Sequence, residues 1–244
     1  MINYKIKQYI KIAVTLIIIS ILLFLILLVI FKYEIEGEKK ENLPFVIEQI
    51  SLVSTADGLK NQENNEYLWS GELIQVNDIY IKVSKNPNIS GVIENAIIQN
   101  VEIITPQKGN INLTKIIKNE DTSNNYVIED LKEYKFTGGK STSLENLTIA
   151  NQGGIIGLRA INVNLGTYNS NDEEINYDGR ILNIENITND EIKFKLKFDI
   201  LIELRDGIKY KTNIELELPV GNILENGVEI REYNNIDNLI YKRY

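Results

Sequence analysis

One apolar run near the N-terminus constrains this chain more than any other feature. It extends from Ile12 to Phe31, and 17 of its 20 residues are Ile, Leu, Val or Phe. A helix of that length is about 30 Å long, which matches the hydrocarbon core of a bilayer. The sequence therefore predicts a helix that spans the lipid bilayer from Ile12 to Phe31.

The charges that flank this run predict its orientation. Lys5, Lys7 and Lys11 precede it, and the first acidic residue of the chain is Glu34. Because positively charged segments stay on the cytoplasmic side, we expect a cytoplasmic N-terminus and an extracytoplasmic remainder. A cleaved signal peptide is the alternative, but its apolar region is usually about 7–15 residues and precedes a small-residue cleavage site. No such site follows Phe31, so the sequence predicts an uncleaved signal-anchor in the cell membrane.

The composition of the remainder excludes several classes of partner and reaction. From residue 33 onward the chain carries 22 Lys and Arg against 34 Asp and Glu, a net charge of −12. That acidic balance argues against nucleic acid as a partner, because such binding depends on neutralising phosphates. The chain contains no His and no Cys. Catalysis by a histidine-based triad or a cysteine nucleophile is therefore excluded, as are zinc sites built from those residues, and no cofactor is predicted.

Residues 192–218 carry the clearest secondary-structure signal after the apolar run. Apolar residues alternate with mostly charged ones from Ile192 to Leu204, and the alternation resumes from Ile208 to Leu218. A period of two is typical of strands with one buried face and one solvated face. We therefore predict an antiparallel hairpin in this segment.

The register of this hairpin follows from its two faces. A two-residue loop would place Leu204 opposite Lys209, whereas a three-residue loop pairs Leu204 with Ile208 and keeps apolar residues opposite one another. The longer loop also sets three pairs of opposite charge across the strands, each worth about 0.2–1 kcal/mol. These pairs are Glu203 with Lys209, Lys197 with Glu215, and Lys195 with Glu217. We therefore predict a type I turn with a bulge and Gly207 at positive φ.

Weaker alternations and turn residues recur along the rest of the chain. Further strands are predicted at residues 45–53, 78–83, 155–165 and 181–184. Turns are expected at Asp57-Gly58, Gly138-Gly139, Gly153-Gly154, Asp178-Gly179 and Asn226-Gly227. Many strands and no long helical period after the anchor predict a mostly β fold, an antiparallel β-sandwich-like extracytoplasmic domain. A short helix at 114–118 or at 143–147 is also considered.

The predicted domain organisation has four parts. Residues 1–11 form a short cytoplasmic tail, 12–31 the transmembrane signal-anchor helix, 32–43 a charged linker, and 44–244 the extracytoplasmic β domain. A polar stretch near residue 120 leaves open a division of that domain into two. A linker this short holds the domain close to the membrane.

One loop resembles a calcium-binding motif in its spacing. Glu174, Asn176, Asp178 and Glu185 follow the ligand spacing of an EF-hand loop, with Gly179 at the turn. The first ligand is Glu rather than Asp, and the flanking segments are predicted as strands rather than helices. We therefore expect an ordinary turn here, with weak calcium binding as the alternative.

Adjacent acids and scattered aromatic residues suggest two further functions. Three carboxylate pairs have the residue type that a glycosidase needs, but we interpret them as solvated loops. Aromatic residues suit glycan-binding surfaces, and they are equally favoured in strands. The acid pairs are Glu173 with Glu174, Asp190 with Glu191, and Glu129 with Asp130, and the aromatic residues are Tyr67, Trp69, Tyr126, Tyr134, Tyr168 and Tyr177.

Together these features predict a non-enzymatic envelope protein, in which a membrane-anchored β domain binds or helps assemble another envelope protein. A glycan-binding or adhesin-like module is the first alternative. The short linker argues against it, because the domain would sit beneath a thick wall rather than project through it. A wall-acting hydrolase that uses carboxylates is a distant alternative.

Overall fold

The structure is a computed structural model that describes residues 2–32, 37–60, 67, 69–116, 133–137, 149–150, 153–171, 180–234, 236 and 238–244. Helix α1 (Ile2–Ile30) contains nearly all of the predicted apolar run. Within its segment Ile6–Ile30, the most apolar window of 18 residues has a mean hydropathy of 3.4, and none of that window is buried against the rest of the protein. The chain therefore has one N-terminal helix that is long and apolar enough to cross a membrane.

Two antiparallel sheets contain the described strands, which confirms the predicted mostly β fold. In chain order the strands are β1 (Phe45–Lys60), β2 (Trp69–Lys85), β3 (Ile93–Ile104), β4 (Asn110–Lys115), β5 (Glu133–Thr137), β6 (Ile149–Ala150), β7 (Gly153–Ser170), β8 (Phe194–Leu204), β9 (Lys209–Leu218), β10 (Val228–Asn234) and β11 (Lys242–Arg243). The first sheet has the order β10-β1-β2-β7-β4, with β6 also paired to β7. The second sheet has the order β11-β9-β8-β3-β5. Each sheet combines strands from before and after residue 120.

The main core lies between the two sheets, as in a sandwich. Alternate residues of β1 are buried there, Phe45 and Leu52 among them, and they share the core with alternate residues of β8 such as Phe198. The ring of Phe45 meets the ring of Tyr210 edge to face, with 5.6 Å between their centroids. Burying one such side chain stabilises the fold by about 1.5–3 kcal/mol. The alternation seen in the sequence thus corresponds to a shared core.

The β8–β9 hairpin has the predicted register. The Leu204 N–H donates to the Ile208 carbonyl at 2.8 Å, and Gly207 has a φ of 85°. The three predicted ion pairs are all formed: Glu203–Lys209 at 3.6 Å, Lys197–Glu215 at 3.0 Å and Lys195–Glu217 at 3.0 Å. The predicted three-residue loop and the positive φ of Gly207 are both confirmed.

Two turn predictions are tested by the described residues. The prediction at Asp57-Gly58 is wrong, because β1 continues to Lys60 and stays paired with β2 throughout. The prediction at Asn226-Gly227 is confirmed, because the short helix α3 (Ile223–Asn226) ends there and Gly227 has a φ of 76°. Gly153-Gly154 begins β7 directly after the connection from β6. The two other predicted turns fall outside the described residues.

The strand predicted at 181–184 is wrong, because these residues belong to the 3-10 helix Arg180–Glu185. Ile181 and Leu182 are adjacent in sequence and both are buried, which a strand with two opposite faces does not favour. They belong to a second cluster, here called the minor core. Its members are Ala56, Leu73, Leu165, Ile181, Leu182, Ile187, Ile192, Ile223 and Leu224.

The short helix suggested at 114–118 does not begin at Thr114, because Thr114 and Lys115 are the last residues of strand β4. Residues 117 and 118, and the second candidate at 143–147, lie outside the described residues. The described helices that follow α1 are short. They are α2 (Asn189–Ile192), α3, and the 3-10 helices Lys40–Asn42 and Arg180–Glu185.

The second half of the predicted linker is packed against the domain. Glu38 and Tyr241 exchange two backbone hydrogen bonds, of 2.6 and 3.0 Å. Tyr241 is 2% exposed and meets the Phe45 ring edge to face, at 5.3 Å between centroids. Gly37 has a φ of 79°, and a Cβ there would lie 2.5 Å from the Ile240 side chain. The C-terminal segment therefore joins the segment that follows α1 to the main core.

Candidate protein-binding edge

The outer edge of β9 is the strongest candidate site among the described residues. The even-numbered residues of β9 bond to β8, because the bond from Leu204 to Ile208 continues in register along the ladder. The odd-numbered residues therefore direct their N–H and C=O groups away from β8. The short strand β11 pairs only with Tyr210 and Lys211. In the part of the chain that the structure describes, no strand pairs with the outer edge at 213–217.

A groove of about 330 Å³ lies along this edge. Its floor is apolar, formed by Ile50, Ile214 and Leu216, and its rim includes Arg231 and Tyr233 of β10 with Ile236 and Leu239 of the segment after β10. Apolar recesses beside outward-directed backbone groups are what an added strand requires, because alternate side chains enter the recesses. This groove and the β9 edge at 213–217 are here called the β9 groove.

The charged side chains beside the β9 groove form ion pairs between β8 and β9. Lys195 contacts Glu217 at 3.0 Å and Glu215 at 3.5 Å, and Lys197 contacts Glu215 at 3.0 Å. A hydrogen bond to Glu217 is the main cause that raises the pKa of Lys195, and a hydrogen bond from Lys197 is the main cause that lowers the pKa of Glu215. Lys195 and Glu215 are therefore both charged at neutral pH. The charged side of the β9 groove stays hydrated, whereas its floor is apolar.

Strand β10 forms a second open edge on the same side of the sandwich. Its odd-numbered residues bond to β1, because the Ala56 N–H donates to the Gly227 carbonyl at 2.8 Å and the ladder continues in that register. Val228, Ile230 and Glu232 therefore direct their backbone groups outward. The side chains of Val228 and Ile230 are 49% and 65% exposed. An exposed edge strand with apolar side chains is a template for pairing with another strand.

The predicted calcium loop lies almost wholly outside the described residues. Glu174, Asn176 and Asp178 fall within 172–179, and Glu185 is the last residue of the 3-10 helix Arg180–Glu185. Among the residues that the structure describes, no group of three or more acidic residues is arranged to hold a metal ion. Calcium binding at this loop stays a prediction.

One of the three predicted carboxylate pairs, Asp190 with Glu191, lies in the described residues. Glu191 accepts hydrogen bonds from the N–H and the hydroxyl of Thr188, both at 2.8 Å. These bonds, the hydroxyl bond first, lower the pKa of Glu191. Asp190 contacts Lys193 at 3.3 Å. The pair therefore lies in helix α2 rather than in the expected loop: Glu191 forms a capping box with Thr188, and Asp190 forms an ion pair with Lys193 three residues later.

The predicted aromatic residues differ in their surroundings. Tyr134 of β5 is 2% exposed and belongs to the main core. Tyr168 packs partly buried against the minor core, whereas Tyr67 is 38% exposed. Tyr126 and Tyr177 lie outside the described residues. The described members therefore do not form a single exposed surface.

Sequence reasoning missed a buried polar layer between the main core and the minor core. Ser54, Gln75, Asn77 and Asn162 are each 0% exposed. The Ser54 hydroxyl donates to the Asn77 side-chain carbonyl at 2.8 Å, and the Asn77 amide donates to the Ala160 carbonyl at 3.3 Å. The sequence does contain a pattern that indicates this layer, since polar residues interrupt the inward-facing positions of three strands. None of the four titrates, so the layer specifies packing rather than chemistry.

A second missed feature is an ion pair on the outer face of the first sheet. Arg159 contacts both carboxylate oxygens of Asp78, at 2.6 and 2.8 Å. The Tyr80 hydroxyl lies 3.4 Å from the same carboxylate. Burial, and then the charge of Asp78, raises the pKa of Tyr80, so its phenol stays protonated at neutral pH. The cluster joins β2 to β7 and contains no activated nucleophile.

The described fold defines a β-sandwich-like domain with open edges, preceded by one apolar helix. In comparisons with protein-family models, with curated proteins and with solved structures, the chain matches none of them. Its function is therefore inferred from its own geometry.

Proposed function

We propose that this chain is a single-pass, membrane-anchored envelope protein whose β domain binds an extended segment of another envelope protein. The observation that carries the proposal is the open edge of β9 beside an apolar groove. Asn213, Glu215 and Glu217 direct their backbone groups toward this groove. A partner strand would hydrogen-bond to those groups, and its alternate side chains would occupy the floor.

The charge pattern around α1 supports an extracytoplasmic domain. Lys5, Lys7 and Lys11 precede the span, so the N-terminus stays in the cytoplasm and the β domain is exported. Gly37 follows Lys32 by five residues, and a chain of that length extends at most about 18 Å. The domain is thus held near the bilayer, where its natural partners are other membrane or envelope proteins.

Strand addition at β9 is tested by two substitutions of one residue. Glu215→Pro removes an outward-directed N–H, and the bonds between β9 and β8 do not use that group. Glu215→Ala removes only the carboxylate and keeps the N–H. A photo-crosslinking amino acid in place of Glu217, whose side chain is 73% exposed, reports the partner in cells that express the full-length chain.

We expect one protein of defined mass to be captured by the full chain and by its Glu215→Ala variant. Capture should fall about tenfold with Glu215→Pro, since one lost hydrogen bond and a strand clash exceed about 1.4 kcal/mol. Thermal unfolding of both variants checks that the sandwich stays folded. Equal capture by the two variants would contradict strand addition, and competition by purified wall glycan would favour the glycan-binding alternative.

A further inference from the structure

Strand β10 has an edge with the features of a self-pairing surface. Among the described residues it pairs with β1 alone. Ile230, the most exposed apolar residue of the strand, lies next to its central residue and has 65% of its surface accessible. Arg231 is exposed and forms no ion pair with any described residue. The strand therefore presents outward backbone groups, with an exposed apolar side chain on one face and the unmatched charge of Arg231 on the other.

The sequence of β10 is complementary to itself in one antiparallel register. Even-numbered residues direct their backbone groups outward, so even residues must lie opposite even residues when two copies pair. A pairing centred on Ile230 sets the two Ile230 side chains opposite each other. It also sets Glu229 of each copy opposite Arg231 of the other, which forms two ion pairs by symmetry.

The neighbouring registers are disfavoured by charge. A pairing centred on Glu229, Arg231 or Glu232 would set two identical charges directly opposite each other. Like charges in that position destabilise a strand pair, whereas opposite charges contribute about 0.2–1 kcal/mol per pair. Only the register centred on Ile230 combines opposite charges with an apolar pair over most of the strand.

We propose that β10 pairs with β10 of a second copy of this chain, which joins their first sheets into one continuous sheet. The contact is isologous, so one strand supplies both halves of the interface. It also covers an apolar edge that would otherwise remain a site of uncontrolled pairing. This interface uses the backbone edge of β10, whereas the partner segment is proposed to pair with the edge of β9, and Arg231 borders both sites.

Membrane anchoring is compatible with this symmetry and favours association of the two copies. Two copies anchored in one bilayer are related by an axis along the membrane normal. The axis of an antiparallel strand pair is perpendicular to its sheet, so the dimer holds its sheets parallel to the membrane. Confinement to the bilayer raises the effective concentration of the two copies, so a single strand pair suffices to hold them together.

Cysteine cross-linking tests the register, because the chain has no native cysteine. In the proposed dimer the two Cα atoms of residue 230 lie about 5.5 Å apart, within disulfide range. The matched control is Val228→Cys, whose two copies lie about 14 Å apart, beyond that range. With the full-length chain in native membranes under mild oxidation, we expect disulfide-linked dimers from Ile230→Cys and none from Val228→Cys.

Charge reversal tests the two ion pairs in the Ile230→Cys background. Glu229→Lys and Arg231→Glu each create repulsion between identical copies, so each variant should lose the cross-link. Co-expression of the two variants should restore it as a mixed dimer, because every introduced charge then meets an opposite one. Thermal unfolding under reducing conditions checks that each variant folds.

Three outcomes would overturn this dimer. They are equal cross-linking by the two cysteine variants, no cross-linking by either, and a cross-link from Ile230→Cys that survives both charge reversals. Glu215→Pro should leave the cross-link intact. Failure of the dimer is thereby distinguished from failure of partner binding at the β9 groove.

Discussion

At the scale of single residues, strand pairing determines which neighbours shift the pKa of a half-buried carboxylate. The Asn95 amide donates to the Glu203 carboxylate at 2.8 Å, and Lys209 lies 3.6 Å from it. The hydrogen bond from Asn95 is the main cause that lowers the pKa of Glu203, with Lys209 adding to it. This carboxylate therefore links β3, β8 and β9 on the outer face of the second sheet.

Glu203→Gln should lower the free energy of unfolding at pH 7 by about 1 kcal/mol, because a charge-assisted hydrogen bond is weakened. The folded-state pKa lies below the ordinary value of 4.5, so the ionised group stabilises the fold above that pH. This stabilisation is lost as the pH falls through the lower folded-state pKa. Denaturant unfolding across pH should therefore show the difference between wild type and variant shrinking below pH 4.5.

A matched control for this prediction is Glu217→Gln, at a carboxylate that is 73% exposed. An exposed ion pair is worth at most about 1 kcal/mol and often much less. We expect Glu217→Gln to change the free energy of unfolding less than Glu203→Gln does. A difference for Glu203→Gln that stays constant down to acidic pH would contradict the role assigned to its charge.

At the scale of elements, the β8–β9 hairpin shows how far local pattern determines structure. Alternating apolar residues define the faces, three charge pairs define the register, and Gly207 supplies the positive φ that the loop needs. All of this information lies within about 30 residues of sequence. The hairpin was therefore predictable in detail, and it is also the element that positions the β9 groove.

Gly207→Ala isolates the backbone contribution of the turn. A Cβ at Gly207 would meet no atom within 4 Å, so no clash accompanies the φ of 85°. The expected cost is about 1 kcal/mol of stability, since alanine disfavours left-handed backbone. Gly207→Asn should cost less, because asparagine tolerates this conformation. If denaturant unfolding gives Gly207→Ala and the wild type the same free energy of unfolding, the turn relaxes in solution.

The short elements around the minor core were not predictable in the same way. Ile181-Leu182-Asn183-Ile184 has strand-like composition, yet these residues form a 3-10 helix over the ends of β1 and β7. The Asn183 side chain donates to the Leu224 carbonyl at 2.8 Å, a contact between residues 41 positions apart. Tertiary packing thus outweighed local preference, which is common where β propensity is context-dependent.

At the scale of the whole molecule, the segment after α1 and the C-terminus are joined at one place. Glu38 pairs with Tyr241, and Tyr241 is buried against Phe45 at the start of β1. Burial raises the pKa of Tyr241, so its phenol stays neutral. The two ends of the β domain therefore stabilise each other close to the point where the chain leaves helix α1.

Tyr241→Ala should destabilise the full-length chain by about 3 kcal/mol or more, as large-to-small changes of buried aromatic residues do. Tyr244→Ala is the matched control, because Tyr244 is 70% exposed three residues away. Thermal unfolding in detergent should separate the two variants clearly. Similar midpoints for both would show that the C-terminal segment does not contribute to the main core.

The sequence by itself determined the apolar helix, the mostly β fold and the register of the β8–β9 hairpin. These follow from patterns between near neighbours, because burial imposes a fixed period on adjacent residues. Tertiary structure alone decided the order of the strands, the hydrogen-bond partners within the buried polar layer and the open edges of β9 and β10. Those features depend on which distant segments lie side by side, and no local period records that choice.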